Sequence, residues 1–162
     1  MKVLVVGAGM YVLGRGTTGF GTVLPALAQT SKTVSIDAVT ICSTSDHGRE
    51  AVAKAADEVN RRLGSELAVT HETFDQVFRA GALCAFDCGV VSVPDHLHFD
   101  VGTLVLEGGV HCLMVKPFVL TTSEARRLIS LADARGLYGA VELHKRFDEA
   151  NLVVRRLLTE GQ

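Results

Sequence analysis

Little in this sequence supports a disulfide scaffold, a membrane span or a nucleic-acid surface. Its four cysteines, Cys42, Cys84, Cys88 and Cys112, are too few for a disulfide framework. Cys84 and Cys88 have no second cysteine pair with which to complete a zinc site, so all four are expected to be small apolar core residues. No apolar run approaches the roughly 20 residues of a membrane-spanning helix. No basic stretch with a cleavage site marks the N-terminus, so the chain is expected to be cytoplasmic. Positive charge is not clustered: 16 Lys and Arg face 18 Asp and Glu, a net charge of -2. The pairs Arg61-Arg62, Arg126-Arg127 and Arg155-Arg156 fall in helical patterns as solvated faces, which argues against a nucleic-acid partner. Repeats, linkers and low-complexity tracts are also missing. What remains is globular, 48% hydrophobic and 21% charged over 162 residues, enough for one domain with a real core.

The chain opens on a β-branched apolar run that ends in Gly7-Ala8-Gly9, followed by Gly14, Gly16, Gly19 and Gly21. A buried strand delivering the chain into a glycine turn and a helix start is how α/β domains hold a dinucleotide pyrophosphate. Pro25 is tolerated in a first helical turn, so the next helix is expected to start between Thr18 and Thr22. The loop from Met10 to Phe20 is then overlong and expected to be poorly ordered without cofactor. Tyr11 and Phe20 within it either cover the cofactor or pack the loop onto the sheet.

Further strands are expected at 34–42, 67–71, 87–94, 110–115 and 137–143. Helices are expected at 46–63, with Ala51, Ala55, Val59 and Leu63 inward, then at 74–78, 97–107 and 148–158. A helix capped by Thr121 or Thr122, with Glu124 just inside it, should run to Arg135. The run at 87–94 is nearly continuous in small and β-branched residues, as a strand buried on both faces requires. Strand and helix alternate six times, which predicts an α/β fold, a doubly wound, Rossmann-type parallel sheet of about six strands. A ligand crevice is then expected at the C-terminal ends of strands one and four. Gly7, Ala8, Gly9, Met10, Ser43, Thr44, Ser45, Val93, Pro94, Asp95, His98 and Lys116 all fall on that edge.

With those positions fixed, the chain resembles the N-terminal half of the Gfo/Idh/MocA (glucose–fructose oxidoreductase and inositol dehydrogenase) family. Val93-Pro94-Asp95-His96-Leu97-His98 is similar to the family's Thr-Pro-Asn-x-x-His turn, and 106–117, ending in Lys116-Pro117, to its Ala-Gly-Lys-His-Val-x-x-Glu-Lys-Pro segment. His144-Lys145-Arg146-Phe147 resembles the Arg-Phe stretch where the chain leaves the nucleotide domain. The resemblance implies the nucleotide-binding domain of an NAD(P)-dependent oxidoreductase acting on a sugar, cyclitol or related alcohol, and the isolated chain is expected to be catalytically incomplete and inactive. It implies that Gly7, Ala8, Gly9 and Met10 cradle the pyrophosphate, and that Val93, Pro94, Asp95 and His98 border the ribose and nicotinamide. Lys116, contacting the cofactor, would be the catalytic lysine that reaches the substrate hydroxyl. Three departures stand out. Val12 replaces the third glycine, Val115 replaces the glutamate before the lysine, and the family's second, largely β domain with its Asp/His pair lies beyond this chain. Residues 1–144 are therefore expected to form the dinucleotide-binding domain, and 145–162 to begin a truncated second domain, with Gln162 inside its first helix.

Strand two ends in Ser43-Thr44-Ser45, with Asp46 next and Arg49 inside the helix. Hydroxyls and an arginine favour NADP over NAD, since arginine pairs well with phosphate; the same residues could also simply cap the helix. His96, His98, His111 and His144 lack a diagnostic ligand spacing, so no metal is expected, and His111 is expected to be a hydrogen-bonded strand residue. Two other functions compete: a non-catalytic NAD(P)-binding or interaction module, and a methyltransferase, which would want an acidic residue at the end of strand two. Apolar surface left by the missing domain is expected to drive homo-oligomer formation through strand six and the last helix, with Leu152, Val153 and Leu157 in the contact.

Overall fold

The computed structural model describes residues 1–79 and 81–161. Its centre is β1 (Lys2–Val6), whose Val3, Leu4, Val5 and Val6 are fully buried. The strand is flanked in parallel by β2 (Ala38–Ser43) and β4 (Cys88–Val91), with Lys2 opposite Ala38 and Val3 opposite Cys88. With β3 (Val69–Thr73), β5 (His111–Val115) and β6 (Gly139–Glu142) they form one sheet, in the order β3-β2-β1-β4-β5-β6. All five pairings are parallel, as expected of a doubly wound sheet.

Parallel strands need helical crossovers, and these cover both faces. On one face α1 (Met10–Leu13), α2 (Val23–Thr30) and α3 (Arg49–Leu63) bury Val12, Leu24, Val52 and Val59 against Val3, Val5, Val39 and Ile41. On the other, α4 (Phe74–Val77), α5 (His98–Glu107) and α6 (Thr122–Ala134) bury Val77, Val101, Val105, Leu106 and Leu128 against Leu4, Val6, Val91 and Met114. Thr121 caps α6 in a reciprocal box with Glu124, as the spacing predicts. Among the described residues no helix is long and apolar enough to cross a membrane.

Several boundaries move, each for want or gain of a partner. β2 begins at Ala38 rather than 34 because its ladder partner β1 begins only at Lys2. Asp37 instead holds the N-terminal ammonium at 2.6 Å. β3 starts at Val69 because the Asn60 side chain claims both main-chain groups of Leu67, at 3.1 and 3.0 Å, and keeps it out of the ladder. The core face of α3 is Val52, Ala56 and Val59, rotated from the expected stripe; Ala55 and Leu63 pack at its margin. Residues 10–20 are not one irregular loop, since Met10–Leu13 is helical and buries Val12 and Leu13. α2 starts at Val23 after Thr22, whose N–H bonds the Tyr11 carbonyl. Cys42 and Cys112 are core residues whose thiols burial pushes up to about 12. Cys84 is instead exposed, its S–H turned to the Gly81 carbonyl.

The last helix, α7 (Glu149–Glu160), is capped by the Asp148 carboxylate and buries none of its residues. Val153, Val154, Leu157 and Leu158 are exposed, as are Tyr138 and Phe147 before it. The expected helical position of Gln162 lies outside the described residues.

Two buried features carry consequences. Gly7 has φ +115°, and a Cβ there would sit 2.0 Å from the Ser92 carbonyl oxygen. Gly7→Ala should therefore cost about 3 kcal/mol or more in urea unfolding, whereas Gly136→Ala, also at positive φ but in open space, should cost only about 1 kcal/mol; equal losses would show that the Ser92 contact is not limiting. His71 on β3 is buried, with Nε2 2.8 Å from Ser43 Oγ and Nδ1 without a partner among the described residues. Burial, then the Arg49 charge, lowers its pKa. The unfolded chain thus takes up this proton first, so stability present above about pH 6.5 is lost as the pH falls through the lowered folded value. In denaturant titrations across that window, His71→Gln should lose less stability on acidification than the parent; parallel losses would refute it.

Candidate functional site

Strand order reverses between β1 and β4, and a cleft of about 520 Å³ opens there at their C-terminal ends. Three segments wall it: Gly7, Ala8 and Gly9 after β1, Cys42, Ser43 and Thr44 at the end of β2, and Ser92, Val93 and Pro94 after β4. The floor is set by the approach of Gly7 to Ser92, supported by Gly7 N–H to Cys42 O and Ser92 N–H to Val6 O, each 2.8 Å. A Cβ on Gly9 would meet no atom within 4 Å, so this side of the turn is open to a ligand. An apolar cleft with a few polar groups and a bare glycine turn fits a dinucleotide.

Seven of the expected residues line this cleft: Gly7, Ala8, Gly9, Ser43, Thr44, Val93 and Pro94. Met10 does not, being 60% exposed on α1. Ser45 and Asp95 also lie off the lining, in the turns that open α3 and α5. Lys116 stands exposed at the end of β5, one strand further along. His98 departs most from expectation, because it is 1% exposed and faces the interior. Its Nδ1 lies 2.6 Å from the Pro117 carbonyl and its Nε2 3.0 Å from that of Val93. The ring therefore ties the end of β4 to the segment that follows Lys116, a positioning role in place of a cofactor contact.

The adenosine side also differs in detail. Ser43 Oγ donates to the Ser45 carbonyl at 3.0 Å, which leaves His71 Nε2–H to donate to Ser43. The serine has no second hydrogen to offer a phosphate. Arg49 is engaged by Asp46 at 3.1 Å and is not in the lining. Arg15 is in it, together with Phe74, Leu97, Asp100 and Leu104, none of which the sequence reading singled out. Leu97, in the turn that opens α5, and Leu104, on α5, are exposed apolar residues and left only a weak signal.

At the far end, Tyr11 packs against the core, as Phe20 does, and its hydroxyl donates to Glu142 Oε2 at 2.9 Å. The same hydroxyl is 3.1 Å from His144 Nδ1. Burial, then the Glu142 carboxylate, pushes the Tyr11 phenol above its ordinary value. His111 is bonded through Nδ1 to the Tyr138 N–H, as expected. Among the described residues no group of three His, Cys, Asp or Glu could hold a metal.

Comparison with known proteins agrees with this geometry. The Gfo/Idh/MocA description, an oxidoreductase family with an NAD-binding Rossmann fold, matches residues 1–143. UDP-N-acetylglucosamine 3-dehydrogenase of Acidithiobacillus ferrooxidans is 38% identical over 74 residues, which cover 46% of this chain and 24% of that one. Its solved structure superimposes over 96% of this chain and 41% of its own, at TM-score 0.60 and 26% identity. The scyllo-inositol 2-dehydrogenase (NADP(+)) IolW of Bacillus subtilis is 30% identical over 77 residues, 48% of this chain and 22% of that one. A mutant of KijD10, a 3-ketoreductase from Actinomadura kijaniata solved with TDP-benzene and NADP, shares the fold at TM-score 0.68 and 22% identity, over 99% of this chain and 44% of its own. This chain thus spans less than half the length of each of these relatives. It belongs to the Gfo/Idh/MocA oxidoreductase family, through that family's NAD-binding Rossmann domain.

Proposed function

We propose that this chain binds NADP(H) in preference to NAD(H), and forms the nucleotide-binding part of an oxidoreductase acting on a sugar, cyclitol or related alcohol. The observation that carries the reading is the cleft at the β1–β4 reversal, with a bare glycine turn in its wall and Lys116 one strand beyond. Backbone N–H groups around Gly9 would hold the pyrophosphate. Thr44 and Arg15 would meet a 2′-phosphate, in place of the expected Ser43 and Arg49. His98 would fix the Lys116-Pro117 segment, so that the ammonium stands where a substrate hydroxyl could accept a hydrogen bond from it. When bound, the nicotinamide supplies hydride chemistry; the chain supplies orientation and a path for the proton. We also propose that the chain self-associates through β6 and the exposed face of α7.

The chain has no tryptophan, so emission excited in the nicotinamide band reports NADPH binding cleanly. NADPH should bind at least about tenfold more tightly than NADH, and Arg15→Ala should remove most of that difference, the worth of one charge-assisted phosphate contact. Lys116→Ala should leave NADPH affinity unchanged and abolish any oxidation of scyllo-inositol or UDP-N-acetylglucosamine. Tighter NADH binding would overturn the cofactor preference, and no binding of either nucleotide would overturn the whole reading. Sedimentation should show a dimer that a Leu157→Asp, Leu158→Asp variant dissociates; a monomer at high concentration would remove the self-association.

A further inference from the structure

Beyond the cleft, three polar side chains from two distant parts of the chain meet on the edge where Lys116 stands. Glu142 is the last residue of β6 and is paired with Val115, the residue before Lys116. His144 follows two residues later, and Tyr11 reaches across from α1, immediately after the glycine turn. The Tyr11 hydroxyl donates to Glu142 Oε2 at 2.9 Å. His144 Nδ1 lies 3.1 Å from Glu142 Oε1, 3.4 Å from Oε2 and 3.1 Å from the Tyr11 oxygen.

The hydrogens of this ring can be assigned from its partners. The phenol is held protonated by burial and by the carboxylate, and its one hydrogen goes to Glu142. His144 Nδ1 therefore faces oxygens that only accept, and it must carry a hydrogen. The lone pair of the neutral ring is then on Nε2, which makes no hydrogen bond among the described residues. The carboxylate is the less exposed partner, at 20% against 39% for the imidazole, so Glu142 is anchored and His144 is reachable. A histidine whose Nδ1–H is fixed by a carboxylate while Nε2 stays available is the arrangement that sets up a general base.

We propose that His144 is a proton-transfer group of this site, working beside Lys116, with Glu142 and Tyr11 as its positioning residues. The proposal rests on the alcohol-oxidising reading above. As the substrate C–H bond breaks, its electron pair leaves with the hydride to oxidised NADP. The O–H bond breaks, its proton passes to His144 Nε2, and C=O forms. The resulting imidazolium is stabilised by Glu142, and it returns the proton when the reaction runs toward the alcohol or loses it to water. This places an acid–base pair on residues of the nucleotide domain itself, joined through Tyr11 to the turn that would hold the pyrophosphate.

The test uses the full chain and needs no substrate for its first readouts. Long-range ¹⁵N–¹H spectra should show neutral His144 as the Nδ1–H tautomer, and Glu142→Gln should shift the ring toward a mixture. Diethyl pyrocarbonate, which acylates an unprotonated imidazole nitrogen, should modify His144 readily. Saturating NADPH should slow that modification severalfold while leaving His111, at the opposite end of β5, unaffected. His144→Gln should retain NADPH affinity and lower the oxidation rate of any alcohol the chain turns over by about 100-fold. An Nε2–H tautomer, or acylation indifferent to bound NADPH, would overturn the proposal while leaving the cofactor reading intact. Absence of NADPH binding in the parallel fluorescence titration would identify failure of the cofactor reading instead.

Discussion

The C-terminal edge of this sheet depends on one contact, the approach of the Gly7 backbone to the carbonyl of Ser92. With a Cβ only 2.0 Å from that oxygen, no side chain fits, and the φ of +115° is one that glycine alone adopts readily. The contact lets β1 and β4 end side by side while their following segments part to opposite faces. That parting is the cleft, and the residues lining it are there because the chain must leave two neighbouring strands in opposite directions.

A second tie sets the distal half of the edge. The buried His98 ring spans from Val93, at the end of β4, to Pro117, after β5. The strand that supplies part of the cleft wall and the segment that carries Lys116 are thus joined by an imidazole in the core. A polar group this deeply buried is tolerated because the ring N–H is given to a carbonyl oxygen. Tyr11 and Glu142 extend the same principle to β6, so the ends of four strands are linked through side chains as well as through the ladder.

Local and periodic information was legible in the sequence, and long-range pairing was not. The continuous apolar runs identified β1 and β4 as strands covered on both faces, and Thr121 with Glu124 located the start of α6 by spacing alone. Five cleft residues followed from where glycine, proline and hydroxyl residues meet strand ends, and Ala8 and Val93 from their place beside them. The start of β3 was missed because Asn60 captures Leu67, a side-chain to main-chain competition with no periodic signature. Arg15 was missed because a loop arginine reads as solvated until the fold places it in the wall of the cleft. His98 was assigned to the right edge and the wrong side of it, since a motif fixes position along a strand but not the direction of a ring. Tyr11 and Glu142 are 131 residues apart, and nothing in either one's neighbourhood names the other.

The contact at Gly7 also fixes an order of events in time. The glycine turn leaves the ribosome well before the other half of its cradle, Ser92, which follows more than eighty residues later. Until then β1 can have only β2 beside it, leaving an exposed apolar edge of the kind that invites mispairing. The glycine turn therefore becomes a site only once β4 has been made, and a nascent chain cut short before β4 has the motif without the cleft.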